Sequence, residues 1–297
     1  MSFLSMLLFS PEQLLSHPLY QQKSVQVYIK RDDMIHPFVS GNKWRKLKYN
    51  LLKASELGKD TLITFGGAWS NHILAVACAA ASAGFYAKAF IRGEEISNPV
   101  LDMCRLFGME LLFVSREDYK DKEKLFNGLQ EADRSFMIDE GGSGIEGARG
   151  CSELVGELER QYDHIFVAAG TGTTAAGIAM GIAQEDEKSL LHVVPVLKGG
   201  GFIADEMLLL GANLQQSRLH LDYHFGGYAK VKPELIQFVQ SFVRQTGIMI
   251  EPTYTGKALF ALHDLLEKDT FEKGSQILFI HTGGLTGLLG QLKHFQD

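Results

Sequence analysis

Lys43 lies in the run Ser40-Gly41-Asn42-Lys43-Trp44-Arg45-Lys46, where a glycine frees the backbone ahead of two lysines spaced one helical turn apart. An amphipathic stretch with Leu47, Leu51, Leu52 and Leu57 follows. An amine held this way can form an imine with an aldehyde, and a nearby cation can hold that aldehyde's phosphate. The combination points to pyridoxal phosphate (PLP) attached as a Schiff base. A basic cluster at a helix start is more often a solvated face, so the reading depends on two other segments.

The first is Phe65-Gly66-Gly67-Ala68-Trp69-Ser70-Asn71-His72, after the apolar run Thr61–Phe65. Either Ser70 or Asn71 suits the N-cap of the alanine-rich helix that follows, and capping alone would account for both. The functional reading gives a substrate carboxylate to Ser70 and the helix-terminal amides, and a cofactor hydroxyl to Asn71. The second segment is Ala169-Gly170-Thr171-Gly172-Thr173-Thr174-Ala175, whose amides and hydroxyls at a helix start suit one phosphate. Gly170, Gly172 and Ala175 also satisfy the dinucleotide pattern, but that pattern needs an acid near the end of the next strand. Here the strand at 192–196 runs into Leu197-Lys198-Gly199-Gly200-Gly201, which leaves a single-phosphate cofactor as the better reading.

Two further turns complete the set: Glu251-Pro252-Thr253-Tyr254-Thr255-Gly256-Lys257 and His281-Thr282-Gly283-Gly284. Tyr254 reads equally as a core residue and Thr282 as a helix cap. Lys257 reads as a solvated helix residue rather than a second active amine. His220, Asp222 and His224 alternate and would share a face on a strand, but without a second shell they do not amount to a metal site. No Gly-x-Ser-x-Gly or His-Glu-x-x-His run supports acyl transfer or zinc hydrolysis.

The elements that must position these residues alternate between short apolar runs and helical patterns, as in an α/β chain with mostly parallel strands. Strands are expected at 25–29, 61–65, 87–91, 110–114, 135–138, 164–168, 192–196 and 276–281. Helices are expected at 43–56, 71–83, 98–106, 147–161, 174–183, 233–246 and 256–268. Several strands end in a glycine-bearing turn that opens a helix, where open parallel sheets bind ligands. The chain has 297 residues, 45% of them hydrophobic, enough for two lobes. A net charge of -6 gives no basic stripe for nucleic acid, and no apolar run approaches a membrane span of about 20 residues. The start, Met1 to Phe9, lacks the basic side chain of a signal peptide and reads as a docked terminus. Cys78, Cys104 and Cys151 are widely spread, consistent with reduced thiols in a cytoplasmic protein.

Taken in order, these motifs make the chain resemble the D-cysteine desulfhydrase and 1-aminocyclopropane-1-carboxylate (ACC) deaminase family of fold-type II PLP enzymes, from Lys30-Arg31-Asp32-Asp33 to Gly284. The resemblance implies a tryptophan synthase β-like fold of two open, mostly parallel α/β domains with PLP between them. Residues 1–45 and 146–297 would form the larger domain and 46–145 the smaller inserted one. By resemblance Lys43 is the Schiff-base lysine and Lys46 contacts the phosphate, with Gly170, Thr171, Gly172, Thr173 and Thr174 around it. Asn71 would bond the phenolic oxygen and Thr282 the pyridine nitrogen. Ser70 would lie near the substrate carboxylate, and Tyr228 and Tyr254 look like the two active-site tyrosines. A homodimer acting on a small amino acid is expected.

The implied chemistry is α,β-elimination: Lys43, its pKa drawn toward neutrality by burial and Lys46, removes an α-proton and a leaving group departs from Cβ. ACC deaminases typically have a glutamate where Thr255 stands and tend to have Gln in place of His72. A neutral Thr282 at the ring nitrogen would also make the ring a weaker electron sink. Both features favour elimination from a D-amino acid such as D-cysteine over ACC opening. The alternatives are ACC deaminase and a PLP-holding, amino-acid-sensing protein without turnover. Trp69 stands where the family often has a smaller or polar side chain and would narrow the pocket, and the family's arginine is replaced by Ile73 or Leu74.

Overall fold

The computed structural model describes residues 8–296, so the N-terminal run read as a docked terminus lies, up to Leu7, outside the described residues. One sheet contains β1 (Glu12–Leu14), β2 (Gln26–Lys30), β7 (His164–Ala169), β8 (Leu190–Pro195), β9 (Ser217–Leu219) and β10 (Gln276–Ile280), in the order β1-β2-β10-β7-β8-β9. The other contains β3 (Thr61–Gly66), β4 (Tyr86–Arg92), β5 (Glu110–Val114) and β6 (Ser135–Ile138), in the order β5-β4-β3-β6. Every pairing is parallel except that of β1 with β2. Strands covered on both faces read as continuous apolar runs, and β3, buried along its whole length, is the clearest. The eight expected strands are all present. The sequence reading missed β1 and β9, which are three residues long, partly exposed, and carry polar side chains at Glu12, Gln13, Ser217 and Arg218.

The helices are α1 (Pro18–Gln22), α2 (Asn42–Glu56), α3 (Asn71–Ala83), α4 (Pro99–Leu106), α5 (Lys122–Asn127), α6 (Ile145–Gly156), α7 (Thr173–Gln184), α8 (Phe202–Leu209), α9 (Pro233–Thr246) and α10 (Thr255–Glu267). Of these, α1, α5 and α8 were not expected: α1 and α5 are too short to show a period, and α8 is largely apolar with little amphipathic pattern. Helix α6 stops at Gly156 instead of running on to Gln161. No helix among the described residues is long and apolar enough to cross a membrane.

Three helices set the geometry of the site. A Cβ at Gly177 of α7 would lie 2.3 Å from the Ala148 carbonyl oxygen, and one at Gly150 of α6 would lie 1.9 Å from the Arg45 carbonyl oxygen. The missing side chains let α6 touch both neighbours backbone to backbone, which brings the starts of α2 and α7 together. The Asn42 amide donates to Thr174 Oγ1 at 2.8 Å across that junction.

Helix α2 is pinned from its other face. Arg45, fully buried, donates to both carboxylate oxygens of Asp32 (2.6 and 2.9 Å) and to both of Glu157 (2.9 and 2.7 Å). Burial pushes the Asp32 carboxyl up, but Arg45 and the Ser10 hydroxyl more than offset this and hold it below the usual carboxylate range. Its contribution to stability is therefore present above the unfolded pKa of about 4 and is lost as pH falls through the depressed folded value. Arg45→Met leaves Asp32 charged, buried and without its guanidinium, and should lower unfolding stability by about 3–5 kcal/mol. Urea titration at neutral pH checks this, and the deficit should shrink in acid.

Candidate active site

A cavity of about 530 Å³ lies where the carboxyl ends of the two sheets face one another. Its wall includes Lys43, Lys46, Ser70, Asn71, Gly170, Thr171, Gly172, Thr174, Tyr228, Tyr254 and Thr282, so residues spread over some 240 positions of sequence meet there. Thr173 does not line it. Its hydroxyl is taken up between Thr171 Oγ1 (3.2 Å) and Ser143 Oγ (3.0 Å), which leaves only its main chain for a ligand.

Lys43 lies in the first turn of α2, and its Nζ donates to Asn42 Oδ1 at 2.8 Å. Burial lowers its pKa to about 7, helped by the like charge of Lys46. A substantial share of it is therefore a free amine at neutral pH, the form that attacks an aldehyde. Lys46 is also buried, which lowers its pKa, and it reaches the Gly141 carbonyl at 3.1 Å.

The helix-start cup faces these amines. Gly172 sits at the N-cap of α7 with φ +81° and offers no side chain to the helix, so no cap oxygen takes up the first amides. On the opposite wall Ser70 caps α3, its Oγ accepting from the Ile73 amide at 3.4 Å, so the cap falls to Ser70 and not to Asn71. Ser70 still lines the cavity.

Asn71 is oriented from the far end of the chain. Its Oδ1 accepts from the Thr286 hydroxyl and the Gly287 amide, both at 2.6 Å. A main-chain N–H can only meet an acceptor, so the side-chain oxygen is fixed on that side and Nδ2 remains as a donor for the cavity. The Thr64 hydroxyl donates to the Ile138 carbonyl (2.8 Å) and so accepts from His72 Nε2–H (2.8 Å). That leaves the buried His72 Nδ1 as an acceptor with no partner among the described residues.

Tyr254 is set by Glu251, whose buried carboxylate accepts from the amides of Thr253 (2.6 Å), Tyr254 (2.8 Å) and Thr255 (2.8 Å) at the start of α10. Thr255 turns its hydroxyl onto the same carboxylate at 3.2 Å and does not line the cavity. The rings of Tyr254 and Tyr228 meet edge to face, 5.9 Å apart. Burial holds the Tyr254 phenol well above its ordinary pKa, while Tyr228, 48% exposed, keeps contact with solvent.

Three expectations are corrected. Trp69 does not line the cavity; its ring packs against Gly290 in the 3-10 stretch Leu285–Gly290, so it does not narrow the pocket. Lys257 is fully buried, not solvated. His220, Asp222 and His224 do not share a strand face, because β9 ends at Leu219 and the imidazoles have other partners. His220 bonds His192 at 2.9 Å, and His224 accepts from the Gly226 amide at 2.9 Å. Among the described residues no group of His, Cys, Asp or Glu could hold a metal ion. The sequence reading missed Arg92, Lys122, Asp139, Glu140 and Ser143, which line the cavity from the four-stranded sheet. The glycine-rich turn Asp139–Gly144, after an expected strand, was the available signal.

A desolvated amine, an uncapped helix start and an oriented amide donor fit a phosphorylated aldehyde. Two parallel sheets joined over such a site define a PLP-dependent enzyme of fold type II. The chain belongs to the pyridoxal-phosphate dependent enzyme family, whose model matches residues 10–283. A protein of Pyrococcus horikoshii provisionally named a 1-aminocyclopropane-1-carboxylate deaminase is 36% identical over 280 residues, covering 88% of this chain and 85% of that one. The mitochondrial bifunctional D-cysteine desulfhydrase/1-aminocyclopropane-1-carboxylate deaminase of Arabidopsis thaliana is 33% identical over 295 residues, covering 89% of this chain and 73% of that one. Among solved structures, an ACC deaminase homologue superposes with a TM-score of 0.83 at 32% identity, over 98% of this chain and 94% of that one.

PLP uptake by the apoprotein, followed by absorbance, should accelerate with pH through an inflection near 7. Lys46→Met removes the like charge and should move that inflection upward; an inflection near 10 in the unmodified protein would contradict the assignment. Thr286→Val removes one of the two bonds that orient Asn71 and should weaken PLP binding by about 1 kcal/mol, roughly fivefold. Equilibrium titration with PLP measures it, and unchanged affinity would show that Gly287 suffices.

Proposed function

We propose that the protein is a lyase that performs α,β-elimination on a small D-amino acid, converting D-cysteine and water to pyruvate, sulfide and ammonia. Lys43 is the attachment point and the base. Bound PLP supplies a conjugated electron sink for the carbanion formed at the substrate's Cα. The remaining work falls to this chain's residues. Lys46 and the 170–174 turn hold the phosphate, Asn71 Nδ2 the phenolic oxygen, and the Thr282 hydroxyl the pyridine nitrogen. Ser70 and the first amides of α3 bind the substrate carboxylate. Lys43 Nζ takes the α-proton, the Cα–H electron pair becomes the Cα–Cβ double bond, and sulfur leaves with the Cβ–S pair. Tyr254, kept protonated by burial and backed by Tyr228, can donate a proton to that sulfur. Hydrolysis of the released enamine gives pyruvate and ammonia.

The observation that carries the choice of elimination is the absence of a carboxylate at two places. Thr255, after Tyr254, turns its hydroxyl onto Glu251 and away from the cavity, and position 282 is a neutral threonine. Elimination from an activated Cβ needs less carbanion stabilisation than opening an unactivated ring. ACC opening to 2-oxobutyrate and ammonia is the second reading, favoured by the names of the relatives at 31–36% identity.

The two-lobe division, with 46–145 as the inserted lobe, is supported by strand membership: the four-stranded sheet draws only on residues between 61 and 138. We extend the reading to a cytoplasmic homodimer, in keeping with three buried free cysteines.

Holoenzyme absorbing at roughly 410–420 nm, as a PLP imine does, should lose that band on Lys43→Ala. Incubated with D-cysteine it should release sulfide and pyruvate in equal amounts, and with ACC little 2-oxobutyrate. The reverse product pattern would overturn the elimination reading, and no turnover on a panel of D- and L-amino acids would favour binding without catalysis.

A further inference from the structure

Lys257 lies in the first turn of α10, three residues after Tyr254, and none of its surface is exposed. Its Nζ donates to three main-chain carbonyls: Val196 at 3.2 Å, His224 at 2.8 Å and Gly227 at 2.7 Å. An ammonium has three hydrogens, so the three acceptors use its full donor capacity. Among the described residues no carboxylate pairs with it. The acid whose charge acts on it, Glu251, is occupied with the α10 amides. The surroundings are thus those of a small monovalent cation, neutral carbonyl dipoles converging on one charge, with the charge supplied by a side chain.

Each acceptor belongs to a segment that walls the cavity. Val196 follows β8 and precedes Leu197, which lines the cavity, and Gly227 precedes Tyr228. From Phe225 to Ala229 the backbone takes positive φ at four of five residues: Phe225 (52°), Gly226 (99°), Gly227 (125°) and Ala229 (53°). Two of these are not glycine. Such a stretch holds its shape only where its surroundings over-determine it. Two of the three bonds to Lys257 fall on this stretch or at its start.

We propose that Lys257 is a positioning residue whose ammonium stands in for a free monovalent cation in a carbonyl cage, holding the 224–229 turn so that Tyr228 lies against Tyr254. The role in turnover rests on the reading of those tyrosines as site residues; the role in holding the turn does not. Without the ammonium, three buried carbonyls lose their donor and the turn is free to relax. A small cation able to enter the space left by a shortened side chain restores both.

The test uses the holoenzyme with Lys257→Met, which keeps the length and removes the charge, and Lys257→Ala, which empties the cage. Hydrogen exchange of amides 224–229 is read without substrate, so it reports on Lys257 even if D-cysteine is not turned over. Turnover is read with whichever amino acid the unmodified enzyme uses. Lys257→Met should speed exchange in that turn and cut kcat, each by roughly tenfold or more, with the PLP absorbance band retained. Lys257→Ala should recover protection and kcat as potassium chloride is raised but not with tetramethylammonium chloride, whose ion is too large for oxygens 2.7–3.2 Å from the cage centre. The unmodified enzyme should respond to neither salt. Normal protection of 224–229 in Lys257→Met overturns the proposal, as does a Lys257→Ala enzyme that behaves alike in the two salts. Should Lys257→Met fail to fold, Lys257→Ala prepared in potassium chloride decides the matter, and its failure to fold there as well counts against the proposal.

Discussion

The Arg45 guanidinium, shared between Asp32 and Glu157, is the contact on which the site's geometry depends. Successive helical residues are rotated by about 100°, so Arg45 lies on the far side of α2 from Lys43, while Lys43 and Lys46 share a face. Locking the arginine in a buried, doubly bidentate pair therefore fixes the rotation of α2 and points both lysines into the cavity. Glu157 comes from the residue after α6 and Asp32 from the turn after β2, so one side chain ties the lysine helix to two other elements. A lysine there would supply the charge but not the planar fork that engages two carboxylates at once.

Three cations within four residues would ordinarily repel one another, and the structure sorts them by partner. Arg45 is matched by carboxylates and stays charged. Lys43 and Lys46 receive none, and burial drives both toward the neutral amine. The repulsion left between them keeps Lys43 reactive near pH 7, and an incoming phosphate would supply the missing countercharge to Lys46. The sequence cluster that resembled a solvated face is thus a structural cation beside two buried amines that line the cavity.

Most of the site was legible because its parts are local: a lysine at a helix start, a Gly-Thr turn, and a Ser-Asn turn each announce themselves within a few residues. The eight longer strands were legible for the same reason, through short, largely apolar runs. What the sequence did not disclose depends on distant main chain. Lys257 sits beside Gly256 and Thr255, and its acceptors are carbonyls 30, 33 and 61 residues away, so nothing nearby marks it as buried. Trp69 was misplaced because its partner, Gly290, lies in a short 3-10 stretch with no readable period. The charged residues that face the cavity from the four-stranded sheet are conventional surface types, and only the meeting of the two sheets gives them a role.

The clamp on Asn71 has a consequence for biosynthesis. Thr286 and Gly287 follow Asn71 by more than two hundred residues and leave the ribosome after every strand of both sheets. Lys43, by contrast, is translated early. Until the two later residues emerge, the nascent chain carries the amine, and later the Gly-Thr turn, without the oriented amide opposite them. The full set of contacts on Asn71 is thereby deferred until residues 286–287 have been made, after the last strand of either sheet.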